Sequence, residues 1–125
     1  MIKDLRGKKV VVIDDESELA ELMGELLADS GMDVRIFDDP VRALEVLKKE
    51  AVDLVISDLK MPRLSGVQVF EEIHRMRPHD PCRFVLISGG VLNEREFAHH
   101  PLKIDGFISK PYTEEQFLEV VRNCF

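Results

Sequence analysis

Three short runs, Val10-Val11-Val12-Ile13, Leu54-Val55-Ile56 and Phe84-Val85-Leu86-Ile87, are apolar at every position instead of every second one. A strand with one face in water alternates, so a run that does not alternate must be covered on both sides. That is the condition of strands inside a parallel α/β sheet. The second run also ends in an unusual way: Ile56 leads through Ser57 into Asp58, followed by Leu59-Lys60-Met61-Pro62. A buried strand therefore delivers a carboxylate to the edge of a sheet. Asp58 comes too early to cap the next helix, because Pro62 and Leu64-Ser65-Gly66 intervene.

Helical spacing fills the intervals between strands. Ser17 precedes Leu19, Leu22, Met23, Leu26 and Leu27, an apolar face that stops at Ser30-Gly31. Gly24 inside this helix costs about 1 kcal/mol relative to Ala, so packing has to carry it. A second strand is expected over Asp33 to Phe37, and Asp38-Asp39-Pro40 is a helix start with an acid at the cap. Val41, Leu44, Val46 and Leu47 line that helix. Val67, Val69, Phe70, Ile73 and Met76 form the next one, ending before Pro78. Between Val91 and Lys103 the pattern is thin and Pro101 interrupts it, so only a short helix from Asn93 to His99 is expected. Gly106 to Ser109 makes a brief fifth strand, and Thr113-Glu114-Glu115-Gln116 reads as a capping box opening a last helix with Phe117, Leu118, Val120 and Val121 inside.

Five strands alternating with helices predict a three-layer α/β sandwich: a parallel five-stranded sheet in flavodoxin-like order 2-1-3-4-5, helices on both faces, right-handed crossovers. Residues 1–125 are expected to form one domain, with no room for a second. In that order the crevice opens between the ends of the first and third strands. The polar groups gathered there are Asp14 and Asp15, Asp58, Ser88 and Lys110. Converging carboxylates raise one another's proton affinity unless a cation neutralises them, and a hard divalent ion such as Mg²⁺ suits a few carboxylate oxygens completed by a carbonyl, water and phosphate. Acids, a hydroxyl and an ammonium arriving from four strand ends are the parts of a phosphoryl-transfer site.

Charge narrows the partners. With 17 Lys+Arg against 24 Asp+Glu the formal charge is -7, which repels nucleic-acid phosphates and points to proteins or cations. No apolar run approaches bilayer length and Met1-Ile2-Lys3-Asp4 lacks the stretch of a signal peptide, so a cytoplasmic protein without membrane contact is expected. Cys82 and Cys124 are then reduced thiols. His74, His79 and the His99-His100 pair are read as solvated surface groups.

Asp14-Asp15, Asp58-Leu59-Lys60-Met61-Pro62, Ser88 and Lys110-Pro111, in this order and spacing, resemble the receiver domain of two-component response regulators over essentially the whole chain. The resemblance implies a signalling module and not an enzyme in the ordinary sense. Asp58 would take a phosphoryl group from a sensor histidine kinase or a histidine phosphotransfer protein. Asp15, Asp58 and the Lys60 backbone carbonyl would ligate Mg²⁺, with Asp14 acting largely through water. Ser88 and Lys110 would contact the phosphoryl group, and Ser88 with Phe107 would switch the face made by the fourth helix, fifth strand and last helix. A cis Lys110-Pro111 bond, an output protein or domain outside this chain, and a homodimer on phosphorylation belong to the same implication. Lys103-Ile104, where receivers commonly carry a Gly-Ala turn, departs from the family pattern, and Gly89-Gly90 after Ser88 is expected to loosen the loop that the switch must move. Lys60 beside the cleft is expected to alter how fast water reaches phosphorylated Asp58. Three rivals stand beside this reading. A haloacid-dehalogenase-type phosphatase needs its nucleophile after the first strand, and a flavodoxin needs a hydroxyl-rich loop there. A pseudo-receiver keeps the fold and its protein interactions without phosphotransfer.

Overall fold

The computed structural model describes residues 4–89 and 103–125. In chain order these form β1 (Lys9–Ile13), α1 (Ser17–Asp29), β2 (Asp33–Phe37), α2 (Pro40–Lys49), β3 (Leu54–Asp58), α3 (Gly66–Met76), β4 (Arg83–Ser88), β5 (Gly106–Ser109) and α4 (Glu114–Asn123). The strands make one sheet in the order β2-β1-β3-β4-β5, every pairing parallel. The expected architecture and strand order are therefore what the chain adopts. The helix expected at Asn93–His99, together with Gly90, His99 and His100, lies outside the described residues.

Two cores explain why the central strands are apolar throughout. Val10, Val12, Leu54, Ile56, Val85 and Ile87 point to one side, where Ala20, Met23 and Leu27 of α1 and Phe117 and Val121 of α4 cover them. Val11, Ile13, Val55, Phe84 and Leu86 point to the other, beneath Ala43, Leu44 and Leu47 of α2 and Val69, Phe70 and Ile73 of α3. Every residue of β3 is buried, whereas edge strand β2 is half in water. Gly24 lies where α1 packs closely on β2: a Cβ there would lie 2.5 Å from Ile36 Cδ1, so the Ile36 side chain would have to turn aside. Ile104, the departure from the small turn, is 7% exposed and plugs the α2/α3 side of the core.

Helix starts follow the cap chemistry. Asp39 accepts from Val41 N at 3.0 Å ahead of α2, and Thr113 and Gln116 close the expected capping box on α4. A second such box, absent from the sequence reading, joins Ser65 and Gln68 at α3, with Ser65 N donating to Gln68 Oε1 at 2.8 Å and Gln68 N to Ser65 Oγ at 3.2 Å. Ser65→Ala is expected to lower stability by about 1 kcal/mol, read as a shift of the urea midpoint without a change of slope. No disulfide joins Cys82 to Cys124. Burial, aided by surrounding carboxylates, pushes the Cys82 thiol up to about 12, and Cys124 Sγ donates to Val120 O at 3.3 Å. No helix among the described residues is long and apolar enough to cross a membrane.

Candidate functional site

The carboxyl ends of β1, β3, β4 and β5 meet at one edge, as parallel register requires. Ile13 pairs with Ser57, Asp58 with Ile87, and Ser88 with Ser109, so the residues that follow or close each strand fall side by side. Asp14 directly follows β1, its N–H bonded to Phe37 O at 3.1 Å and its side chain wholly buried. Its Oδ1 accepts from Glu16 N at 2.9 Å, which fixes the turn into α1. Asp58 closes β3 and is 6% exposed. Ser88 closes β4 and is also buried, and its carbonyl receives the Lys110 N–H at 2.7 Å. The Lys110-Pro111 bond is cis, as the resemblance implied.

Lys110 is the hub. Its Nζ lies 3.4 Å from Asp14 Oδ2, 3.6 Å from Glu16 Oε1 and 3.6 Å from Asp58 Oδ2. Burial alone would make this ammonium easier to deprotonate, yet the charges of Asp14, Asp58 and Glu16 outweigh it and hold the pKa above its ordinary value. The acids move the same way for a different cause. Burial first, then the neighbouring charges of Asp14 and Asp15, push Asp58 up to about 6 against the opposing pull of Lys110 and the Leu59 N–H. Burial also raises Asp14. One ammonium does not neutralise the cleft.

The donor set fits a hard divalent cation. One oxygen each from Asp14, Glu16 and Asp58 can be chosen with all three within 4.8 Å of one another. On a magnesium octahedron with ligands at roughly 2.1 Å, adjacent oxygens lie about 3.0 Å apart and opposite ones about 4.2 Å, so the three carboxylates would draw inward to share one ion. Asp15, a predicted ligand, is exposed and outside this tight group, although its charge reaches Asp58. Glu16 is the residue that sequence reasoning missed; its only signal was a third acid directly after the pair. Lys60 is exposed just past Asp58, and Phe107 is half-buried against the α2/α3 core three residues before Lys110. His79 is exposed and His74 half-buried.

Gly66 is a second omission. A Cβ on it would sit 2.5 Å from the Asp58 carbonyl oxygen and 2.6 Å from Leu86 Cδ2. The start of α3 thus lies directly against the backbone of the cleft acid, tied by Gly66 N to Leu59 O at 2.8 Å.

Comparison with known proteins agrees with this geometry. The response regulator receiver domain family model matches residues 10–122. The chain is 32% identical over 115 residues to Regulatory protein VanRc of Enterococcus gallinarum, an alignment covering 92% of this chain and 47% of the relative. It is 26% identical over 121 residues to Chemotaxis protein CheY-3 of Vibrio cholerae, covering 96% and 93%. Among solved structures, the response regulator receiver domain protein from Clostridium thermocellum superposes with a TM-score of 0.79 at 27% identity, covering 94% of this chain and 93% of that one. The chemotaxis response regulator CheY4 of Vibrio cholerae gives a TM-score of 0.86 at 21% identity, covering 95% and 99%, a likeness of fold. The chain spans about half the length of VanRc and about a quarter of Transcriptional regulatory protein GlrR of Escherichia coli, 47% and 25% respectively.

Proposed function

The chain belongs to the response-regulator receiver family, and from that premise we propose that Asp58 accepts a phosphoryl group from a phosphohistidine on a sensor kinase or phosphotransfer protein. The observation that carries this is the placement of Asp58: buried at the end of β3, 3.6 Å from the Lys110 ammonium, within a cluster of oxygen donors. An Asp58 oxygen attacks phosphorus, the phosphorus–nitrogen bond of the donor breaks, and the imidazole keeps the electron pair. Lys110 balances charge that gathers on the phosphoryl oxygens, which in a dry cleft is worth more than in water. Mg²⁺, held by Asp14, Asp15, Asp58 and the Lys60 carbonyl, would offset the repulsion between the carboxylate and the incoming anion. Ser88, already buried at the mouth of β4, donates its hydroxyl to the new phosphoryl group, and Phe107 moves into the space this leaves. The position of Phe107, half-buried against the α2/α3 core three residues before Lys110, supports that role.

A donor protein needs a surface beside Lys110. An apolar groove lined by Leu19, Leu22 and Leu26 of α1 and by Pro111 and Tyr112 opens there, with Leu22 56% exposed. On this reading the protein acts as a cytoplasmic signalling module whose chemistry is on its own Asp58 and whose phosphorylated state is read by an output protein or domain.

The test is chemical. With Mg²⁺ and a small acyl phosphate or phosphoramidate, mass spectrometry of the wild type is expected to find one added phosphoryl group, and none on Asp58→Asn. Labelling of both proteins would move the acceptor elsewhere. Labelling of neither would leave a pseudo-receiver, a fold kept for binding alone.

A further inference from the structure

Glu16 occupies the N-cap of α1, yet its side chain makes no capping hydrogen bond. Asp39, Ser65 and Thr113 each cap the helix they precede. The Glu16 carboxylate reaches into the cleft instead, where Oε1 lies 3.6 Å from Lys110 Nζ. Its backbone is anchored on both sides: its N–H donates to Asp14 Oδ1 at 2.9 Å and its carbonyl accepts from Ala20 N at 3.0 Å. The side chain is thus aimed inward by a fixed turn.

What it faces is already a cation. Lys110 Nζ stands 3.4 to 3.6 Å from one oxygen each of Asp14, Glu16 and Asp58. Charge-assisted N–H···O contacts normally close to about 2.7–2.9 Å, so this cage is loose around its resident ammonium. The three acids differ in one respect that matters for a hydrated ion. The side chains of Asp14 and Asp58 are 0% and 9% exposed, whereas that of Glu16 is 61% exposed. Magnesium sheds water reluctantly, so a site with one solvated carboxylate can take the ion with part of its shell in place.

We propose that Glu16 contributes a carboxylate oxygen on the open side of the divalent-cation site, beside Asp14, Asp15, Asp58 and the Lys60 carbonyl. This rests on the Mg²⁺-dependent reading above and adds a residue to the ligand set that the family resemblance implied. The Glu16 side chain makes no capping hydrogen bond, so its replacement removes none from α1.

Calorimetric titration of the full chain with Mg²⁺ alone decides the matter. Glu16→Gln is expected to bind Mg²⁺ about tenfold more weakly than wild type. Glu16→Asp, which keeps the charge but draws the oxygen back by one methylene, is expected to bind several-fold more weakly as well. Both losses should persist in about 0.5 M NaCl, where the field of a charge that makes no contact is screened. Wild-type affinity in Glu16→Asp, or a Glu16→Gln loss that disappears in high salt, overturns the proposal. Absence of Mg²⁺ uptake by the wild type overturns both it and the reading beneath it, whereas normal uptake with indifferent Glu16 variants overturns it alone. Thermal melts in metal-free buffer verify that each variant is folded.

Discussion

In metal-free buffer near neutral pH, Asp58→Asn is expected to be more stable than the wild type by about 2 kcal/mol, or about 8 °C in Tm for a chain of this size. Asp58 carries a pKa raised to about 6 because burial and the charges of Asp14 and Asp15 disfavour its ionised form. A carboxyl whose folded pKa exceeds its unfolded one binds more protons in the folded state. Its contribution to stability is fully present below the ordinary value of 3.8 and is lost as pH rises through about 6. The shift of about two units corresponds to nearly 3 kcal/mol, reduced here to allow for screening by the solvent that reaches the cleft. The asparagine has no charge to lose, so the difference between the two proteins should vanish near pH 4 and be complete above neutrality.

Mg²⁺ reverses the comparison. At about a hundred times its dissociation constant it should stabilise the wild type by about 2.7 kcal/mol, and Asp58→Asn by much less, since a ligand oxygen has lost its charge. The measurement is a set of circular-dichroism melts across pH, with chelator and with Mg²⁺. A variant less stable than wild type at every pH would show that Lys110 already neutralises the cleft, and the argument for a cation would fail with it.

The order of the sheet and the cleft acids were legible for one reason. Residues such as Val10, Val11 and Val12 alternate between two buried cores, so their apolar run survives in the sequence as an unbroken signal. Asp14, Asp58, Ser88 and Lys110 then stand out as the polar residues that end such runs. Edge strand β2 was legible only from its neighbours' turn chemistry, because exposed Arg35 and Ile36 blur its pattern. Glu16 and Gly66 escaped for opposite causes. Glu16 looks like any acid in the first turn of a helix, and its meaning depends on a side-chain direction that composition does not encode. Gly66 follows a loop residue, Ser65, and reads as turn punctuation; that it faces the Asp58 carbonyl depends on how α3 packs against β3 and β4.

Gly66→Ala turns that packing into a prediction. On helix propensity alone the change should stabilise α3 by about 1 kcal/mol. The added Cβ, however, would meet the Asp58 carbonyl oxygen at 2.5 Å and Leu86 Cδ2 at 2.6 Å. A leucine methyl can turn aside; a backbone carbonyl in a strand cannot, and this one also accepts the Ser57 hydroxyl at 3.0 Å. Overpacking of this kind typically costs about 1–3 kcal/mol, so the net effect is destabilising despite the better helix former. Relief requires α3 to lift from β3 or the end of β3 to shift, and either displaces the Asp58 carboxylate relative to Lys110. Phosphoryl labelling should therefore fall by an order of magnitude or more in protein that is still folded, since misplacement by about an ångström can cost a hundredfold. Adding Leu86→Val removes one of the two clashes and leaves the carbonyl one, so the double variant should regain part of the stability and little of the labelling. Full recovery of labelling would place the obstruction at Leu86 alone, and unchanged labelling in Gly66→Ala itself would mean that α3 does not position the acceptor.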